Sequence, residues 1–197
     1  MLTSLRRAGV GGFTLIELLV VIALMAIMAA LAAPSFRDFI VRRNLNTVTG
    51  SFMADVTRAR GEAVNRNICI TMCMSSSAGG TSPACTTSGT DWQVGWIVFL
   101  NPGCSSTLNT PISTADVIVA RPAISADYLL QAQGSSPTKK FVFNASGAPG
   151  VSSVQEFDAV YRAVNDPLTL KYAINICVDA MGRPRPIPND KDCSSYR

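Results

Sequence analysis

"GGFTLIELLVVIALMAIMAALAAP", Gly11 to Pro34, decides the fold, because it sets one carboxylate, Glu17, in an otherwise apolar run long enough to cross a bilayer. An ionised side chain in hydrocarbon costs at least about 2.5 kcal/mol on insertion scales, so such residues come with a partner and a task. Glu17 therefore needs a cation. Arg6 and Arg7 stand on the N-terminal side of the run, and the positive-inside tendency keeps that end in the cytoplasm. The remainder of the chain then faces an oxidising compartment. A secretory signal cleaved near Ala33 is the plain alternative, but the run of about 21 residues is longer than an h-region. Cleavage there would also discard Glu17.

The chain has 197 residues, room for one domain with its own core plus an appended element. Its hydrophobic share of 48% is raised by the run from Phe13 to Ala33, so the rest reads as an ordinary soluble domain. Net charge is +4, from 17 basic and 13 acidic residues, and setting aside Arg6 and Arg7 leaves +2. So small a balance makes no case for nucleic acid outside a local patch. The absence of histidine excludes histidine-dependent catalysis. With no nucleophile–base pair, phosphate loop or metal-ligand cluster in the sequence, neither an enzyme nor a cofactor is expected.

Six cysteines, Cys69, Cys73, Cys85, Cys104, Cys177 and Cys193, all lie beyond the apolar run. An even count in an exported domain favours disulfides; zinc would want a Cys-x-x-Cys pair or histidine ligands, and the sequence has neither. A Cys177–Cys193 bond would close a loop worth about 3 kcal/mol in the chain-entropy account. For the other four, Cys73 with Cys85 and Cys69 with Cys104 is one of the pairings that stay open.

Past Pro34, Leu45, Val48, Phe52, Val56, Ala59 and Ala63 recur at steps of three and four, one face of a helix, with Arg42, Asn46, Arg58 and Glu62 mainly off it. The helix is expected to continue from the membrane segment to about residue 65. The period then changes. In "NICITMCM", Ile68, Ile70, Met72 and Met74 alternate with Cys69 and Cys73, a strand with one buried face and the cysteines on the other. Residues 75–91 are rich in Ser, Thr and Gly and read as a long surface loop tied down through Cys85. Further strands are expected at "WQVGWIVFL", "DVIVAR", "YLLQA", "KKFVFN" and "LTLKYAINICV". The fold class is α+β: a long N-terminal helix, membrane half plus amphipathic half, packed on an antiparallel β-rich domain.

The stretch "RRAGVGGFTLIELLVVIALMAIMAALAAPSF" resembles the class III signal of type IV pilins and type II secretion pseudopilins. The resemblance implies a leader, 1–12, cut after Gly12 by prepilin peptidase, and N-methylation of the new terminus at Phe13. It then divides the chain into a transmembrane and assembly helix, 13–33, its amphipathic continuation, 34–66, and a disulfide-bonded β-rich domain, 67–197. It also supplies the cation for Glu17, since the amine at Phe13 of a neighbouring subunit stays protonated after methylation. A buried pair of that kind adds little net stability but penalises wrong alignment, so Glu17 would set the register of assembly. The implied partners are other pilins or pseudopilins, prepilin peptidase, and the inner membrane before assembly into a fibre.

"ARGEAVNRN", "WQVGWIVF", "FVFNASGAPG" and "ICVDAMGRPRP", in that order, resemble minor pilins of the GspH/FimT type, whose fold is a long helix on a domain of two sheets. Some FimT-type proteins bind DNA through Gly-Arg-x-Arg, which Gly182, Arg183, Pro184 and Arg185 match. In β geometry Arg183 and Arg185 would point the same way, about 7 Å apart, near the spacing of successive phosphates. In polyproline geometry they would splay. Lys139, Lys140 and Lys191 are the further basic residues that DNA could use. The competing reading of "GRPRP" is a turn with solvated arginines. Trp92 and Trp96 could stack bases, but their apolar strand favours core packing. Two other functions stay open: a minor pseudopilin of a type II secretion system, or an adhesin-like pilin that works through the Ser/Thr-rich loop.

Overall fold

Thr14 opens the first helix: its Oγ1 accepts the N–H of Glu17 at 3.2 Å, the N-cap bond that satisfies one of the helix's orphan donors. The computed structural model describes residues 12–151, 153–162 and 167–195; Arg6, Arg7 and the rest of the leader up to residue 11 lie outside them. Helix α1 spans Leu15–Arg66, 52 residues. It contributes to two compact units, one ending at Ile40 and one beginning at Val41.

In the first unit the apolar side chains are uncovered, from Leu15 at 78% exposure to Leu31 at 74%. By length and composition this helix can cross a membrane. The second unit behaves oppositely. There Val41, Leu45, Val48, Phe52, Val56, Ala59 and Ala63 are all buried, the stripe that the three-and-four spacing picks out.

Among the described residues eight strands complete the second unit: β1 Ile70–Met74, β2 Gly95–Leu100, β3 Val117–Pro122, β4 Tyr128–Ala132, β5 Lys140–Phe143, β6 Gln155–Tyr161, β7 Ile174–Val178 and β8 Pro184–Pro188. They form two four-stranded sheets, β3-β2-β1-β5 and β4-β6-β7-β8. Every pairing is antiparallel. The core joins the helix to both sheets. Phe52 lies 5.2 Å from Trp92, 5.6 Å from Trp96 and 4.9 Å from Phe157, ring centre to ring centre. The first two contacts are edge-on, the geometry that aromatic quadrupoles prefer.

Three local expectations need correction, and one strand, β6, lies where the sequence predicts none. β1 is buried on both faces rather than one, because on the side turned from the helix Cys73 and its β2 neighbours Ile97 and Phe99 lie beneath Ala78, Cys85 and Leu108 of the loops. Trp92–Val94 is a 3-10 turn, and the strand begins only at Gly95. In "LTLKYAINICV" a short helix, α2 Leu168–Lys171, precedes the strand, which is confined to Ile174–Val178. β6 occupies a segment whose alternation is too weak to announce a strand, with Glu156 and Asp158 turned outward, and β8, three-fifths proline, takes the β rather than the polyproline geometry.

Candidate functional sites on the helix start and the C-terminal strand

At the helix start Phe13 is 85% exposed, and Glu17 is the acidic residue of the first turn of α1. Placed at the third helical position after Thr14, a carboxylate also complements the positive end of the helix dipole. Capping thus gives Glu17 a local role, but it accounts for position and not for an uncovered apolar flank.

The C-terminal motif is organised by a residue that the sequence did not single out. Asp179 Oδ1 accepts the N–H groups of Met181 and Arg183, each at 2.9 Å, and Oδ2 accepts Arg183 Nε at 2.7 Å. Burial alone would raise the Asp179 pKa, but the bonds from Arg183 and Met181, with the charge of Arg183, outweigh it and hold the carboxyl below its ordinary value. Gly182 makes the bend at φ +73°, and a Cβ there would sit 2.8 Å from Phe143 Cε1 and 2.9 Å from the Gly147 carbonyl. Arg60, from α1, donates to the Met181 carbonyl at 2.9 Å. The turn is therefore fixed to the helix and to the end of β5.

Beyond the turn the backbone is a strand, not polyproline. Val178 pairs with Pro184 and Cys177 with Arg185, and the Asp179 N–H donates to the Arg183 carbonyl at 3.2 Å, extending the ladder by one residue. Arg183 and Arg185 consequently share a face, about 7 Å apart by strand geometry. That face is not purely basic. Glu156 pairs with Cys177 and Asp158 with Asn175, so both carboxylates lie on the same side of the sheet as Arg185. Burial and the charge of Glu156 push the Asp158 carboxyl up. Arg183 is not simply solvated, as the competing reading has it: it is paired to Asp179, although its side chain is still 58% exposed.

The lysines do not join this strand. Lys139 and Lys140 are in or beside β5 of the other sheet. Lys139 Nζ donates to the Thr87 carbonyl at 3.3 Å. Lys140 Nζ donates to the carbonyls of Ser106 at 2.8 Å and Leu108 at 3.1 Å and to Asn109 Oδ1. Partial burial lowers the Lys140 pKa. Its contacts make it a clamp on the 101–112 loop. Lys191 is exposed just after β8, its N–H bonded to the Pro188 carbonyl. Trp92 and Trp96 are buried at 0% and 1%, their indoles donating to the Thr138 carbonyl and to Asp55, so neither can stack a base.

The sulfurs pair as Cys69–Cys104, Cys73–Cys85 and Cys177–Cys193. The first two fasten the 75–91 and 101–112 loops over the outer face of β1 and β2, where Ala78 and Leu108 pack on Ile97 and Phe99. Beneath them Asn101 donates to Thr71 Oγ1 at 3.0 Å and to the Ser105 carbonyl at 2.8 Å. The Ser/Thr-rich loop thus has a structural task, covering a sheet face. The third disulfide anchors the tail on the same face of the sheet as Arg185, whose register partner is Cys177.

Comparison with known proteins follows the same division. Residues 49–182 match the family model described as type II transport protein GspH, and residues 7–33 match the prokaryotic N-terminal methylation motif. The type IV major alpha-pilin of Moraxella bovis is 46% identical over 46 residues, which is 23% of this chain and 29% of that pilin, so the chain matches less than a third of that relative's length. The crystal structure of the type IV minor pilin FimU of Pseudomonas aeruginosa superposes with a TM-score of 0.51 at 15% identity, over 78% of this chain and 95% of that one. The likeness to FimU is one of fold: a long helix on two antiparallel sheets.

Proposed function

The chain belongs to the GspH family of type II transport proteins and carries a prokaryotic N-terminal methylation motif, and from that premise we propose that it is a minor pilin, built into a type IV pilus through its N-terminal helix. Assembly with other pilins is its work, rather than catalysis. The observation that carries the reading is the first unit of the structure: an uncovered apolar helix in which Glu17, near the start, is the one carboxylate between Leu15 and Ala33. In this reading prepilin peptidase cuts after Gly12, Phe13 is methylated, and the chain waits in the inner membrane with its disulfide-bonded domain outside. Glu17 then pairs with the Phe13 amine of a neighbour and sets the register.

The test compares Glu17→Gln and Glu17→Ala in cells. Both variants should be cleaved as the wild type is and should be lost from sheared pili, because the charge and not the cap is what assembly uses. Normal incorporation of Glu17→Gln would sink the proposal. The same strain separates pilus from secretion system: a defect in protein secretion with intact pili would move the chain to the pseudopilin role.

A second reading is DNA capture through Gly182, Arg183 and Arg185, favoured by the extended geometry of β8. Two arginines give modest affinity, with a salt slope of about −2 on duplex DNA. Binding by the mature chain in detergent should be lost in an Arg183→Gln, Arg185→Gln variant. Equal binding by that variant would remove the arginines from the account.

A further inference from the structure

β8 is an edge strand, paired on one side with β7, and its sequence is Pro184-Arg185-Pro186-Ile187-Pro188. Proline has no N–H, so the ladder to β7 has to run through the N–H groups of Arg185 and Ile187, whose partners in register are Cys177 and Asn175. Main-chain groups of successive residues in a strand point to opposite sides. The three prolines therefore turn their main-chain positions to the open rim, and from Pro184 to Pro188 that rim presents carbonyls and ring methylenes but no donor. The amide just before it, at Arg183, is already bonded to Asp179.

The other three edges are closed by different means. Along β4, Ala132 donates to the Thr90 carbonyl, Leu130 to the Gln93 side chain, and Gln131 bridges to Asp91. Along β5, Val142 and Asn144 donate to the carbonyls of Pro149 and Ala148 in the returning chain. β3 carries a register shift opposite Val98 and Phe99 and ends on Arg121 and Pro122. A bulge, a charge and a proline are all means of blunting an edge.

We propose that the alternating prolines of β8 seal the last edge of the second sheet against a second copy of this chain, leaving contacts between copies to the N-terminal helix. Copies held in one membrane, with their domains on the same side, meet at high local concentration. An unsealed strand there would offer a template for sheet-to-sheet pairing before assembly. The last clause rests on the assembly reading above; the closure of the edge does not.

The test uses the full mature chain in detergent, with association followed by sedimentation and amide protection by hydrogen exchange. A Pro184→Thr, Pro186→Thr, Pro188→Thr variant restores three outward N–H groups, whereas Pro184→Lys, Pro186→Lys, Pro188→Lys restores them beneath charges that blunt an edge. The threonine variant should associate at least tenfold more strongly than wild type, with the amide at position 186 protected in the associated form, and the lysine variant should behave as wild type. Wild-type association by the threonine variant with its Cys177–Cys193 bond formed would overturn the proposal, as would equal association by both variants, which marks general unfolding. If the triple threonine variant does not fold, Pro186→Thr alone restores one donor, and no rise in its association overturns the proposal equally. Loss of pilus incorporation by Glu17→Gln bears on the assembly reading and leaves this result untouched.

Discussion

Arg121 Nε, on β3, lies 2.8 Å from Asp55 Oδ2, on the helix, and the same oxygen accepts the Trp96 indole at 3.0 Å. One buried carboxylate therefore joins α1 to two adjacent strands of the first sheet. Asp55 is 2% exposed, while the Arg121 side chain remains about half exposed at 48%. Hydrogen bonding and charge from Asp55 raise the Arg121 pKa further above its ordinary value, so the guanidinium stays charged at every working pH.

Replacing Asp55 by Ala should cost about 1–3 kcal/mol, mainly because a buried indole N–H loses its acceptor. Asp55→Asn keeps an acceptor for Trp96 and should cost less. Arg121→Ala removes the counter-charge from a buried carboxylate and should be closer to Asp55→Ala than to Asp55→Asn. Chemical denaturation of the three variants gives the order, and an Asn variant no more stable than the Ala variant would contradict it.

The two perturbed carboxylates of the second sheet predict opposite responses to pH. Asp179 has a folded pKa below its unfolded value, so its stabilisation is full above the unfolded pKa of about 3.9 and is lost as pH falls through the folded pKa. Asp158 has a raised folded pKa, so it opposes folding above that value and the penalty fades as pH falls towards the unfolded one. Melting curves from neutral to acid pH should show Asp158→Asn more stable than wild type at pH 7, with the gap closing in acid. Asp179→Ala should be less stable at pH 7 and lose less on acidification.

The sequence carried the helix and its buried stripe plainly, because Leu45 to Ala63 follow one period and one face. Glu17 was legible for the same reason: a charge among apolar residues has no neighbours to hide it. Asp179 and Asp55 were not, since an acidic residue in a turn and one on a helix look ordinary until the fold brings Arg183 and Arg121 to them. β8 stayed open between strand and polyproline because prolines argue against a strand, and only its edge position makes them tolerable. The second face of β1 was misjudged because what covers it comes from loops, which have no period.

Gly182 should be the least replaceable position of "GRPRP". Alanine there meets the left-handed backbone penalty, about 1–2 kcal/mol, and its Cβ would overlap the Phe143 ring at 2.8 Å. Gly182→Ala should thus lower the thermal midpoint by more than Arg183→Gln, which breaks a surface ion pair worth at most about 1 kcal/mol. A smaller loss for Gly182→Ala would mean that the turn relaxes away from β5.

Removing Cys73 and Cys85 together should cost about 3 kcal/mol by loop-closure entropy and should free the 75–91 loop. The loop also covers Ile97 and Phe99, so the Cys73→Ser, Cys85→Ser variant should gain sensitivity to proteases within residues 75–91 and bind apolar dyes. Unchanged proteolysis would show that Ala78 and the Ser77–Ala84 hydrogen bond hold the loop unaided.

Lys140 is where a basic residue and a basic site part company. All three of its ammonium protons have acceptors in the 101–112 loop, and its pKa is lowered by burial, so its charge is spent inside the fold. Lys140→Met keeps the stem and removes the donors, and it should cost about 1 kcal/mol or more through the carbonyls it strands. If the chain binds DNA, the same variant should leave the salt slope unchanged, whereas Arg183→Gln should flatten it by about one unit. A slope reduced by Lys140→Met, with the loop still protected from exchange, would return Lys140 to the binding surface and weaken the case for the C-terminal strand.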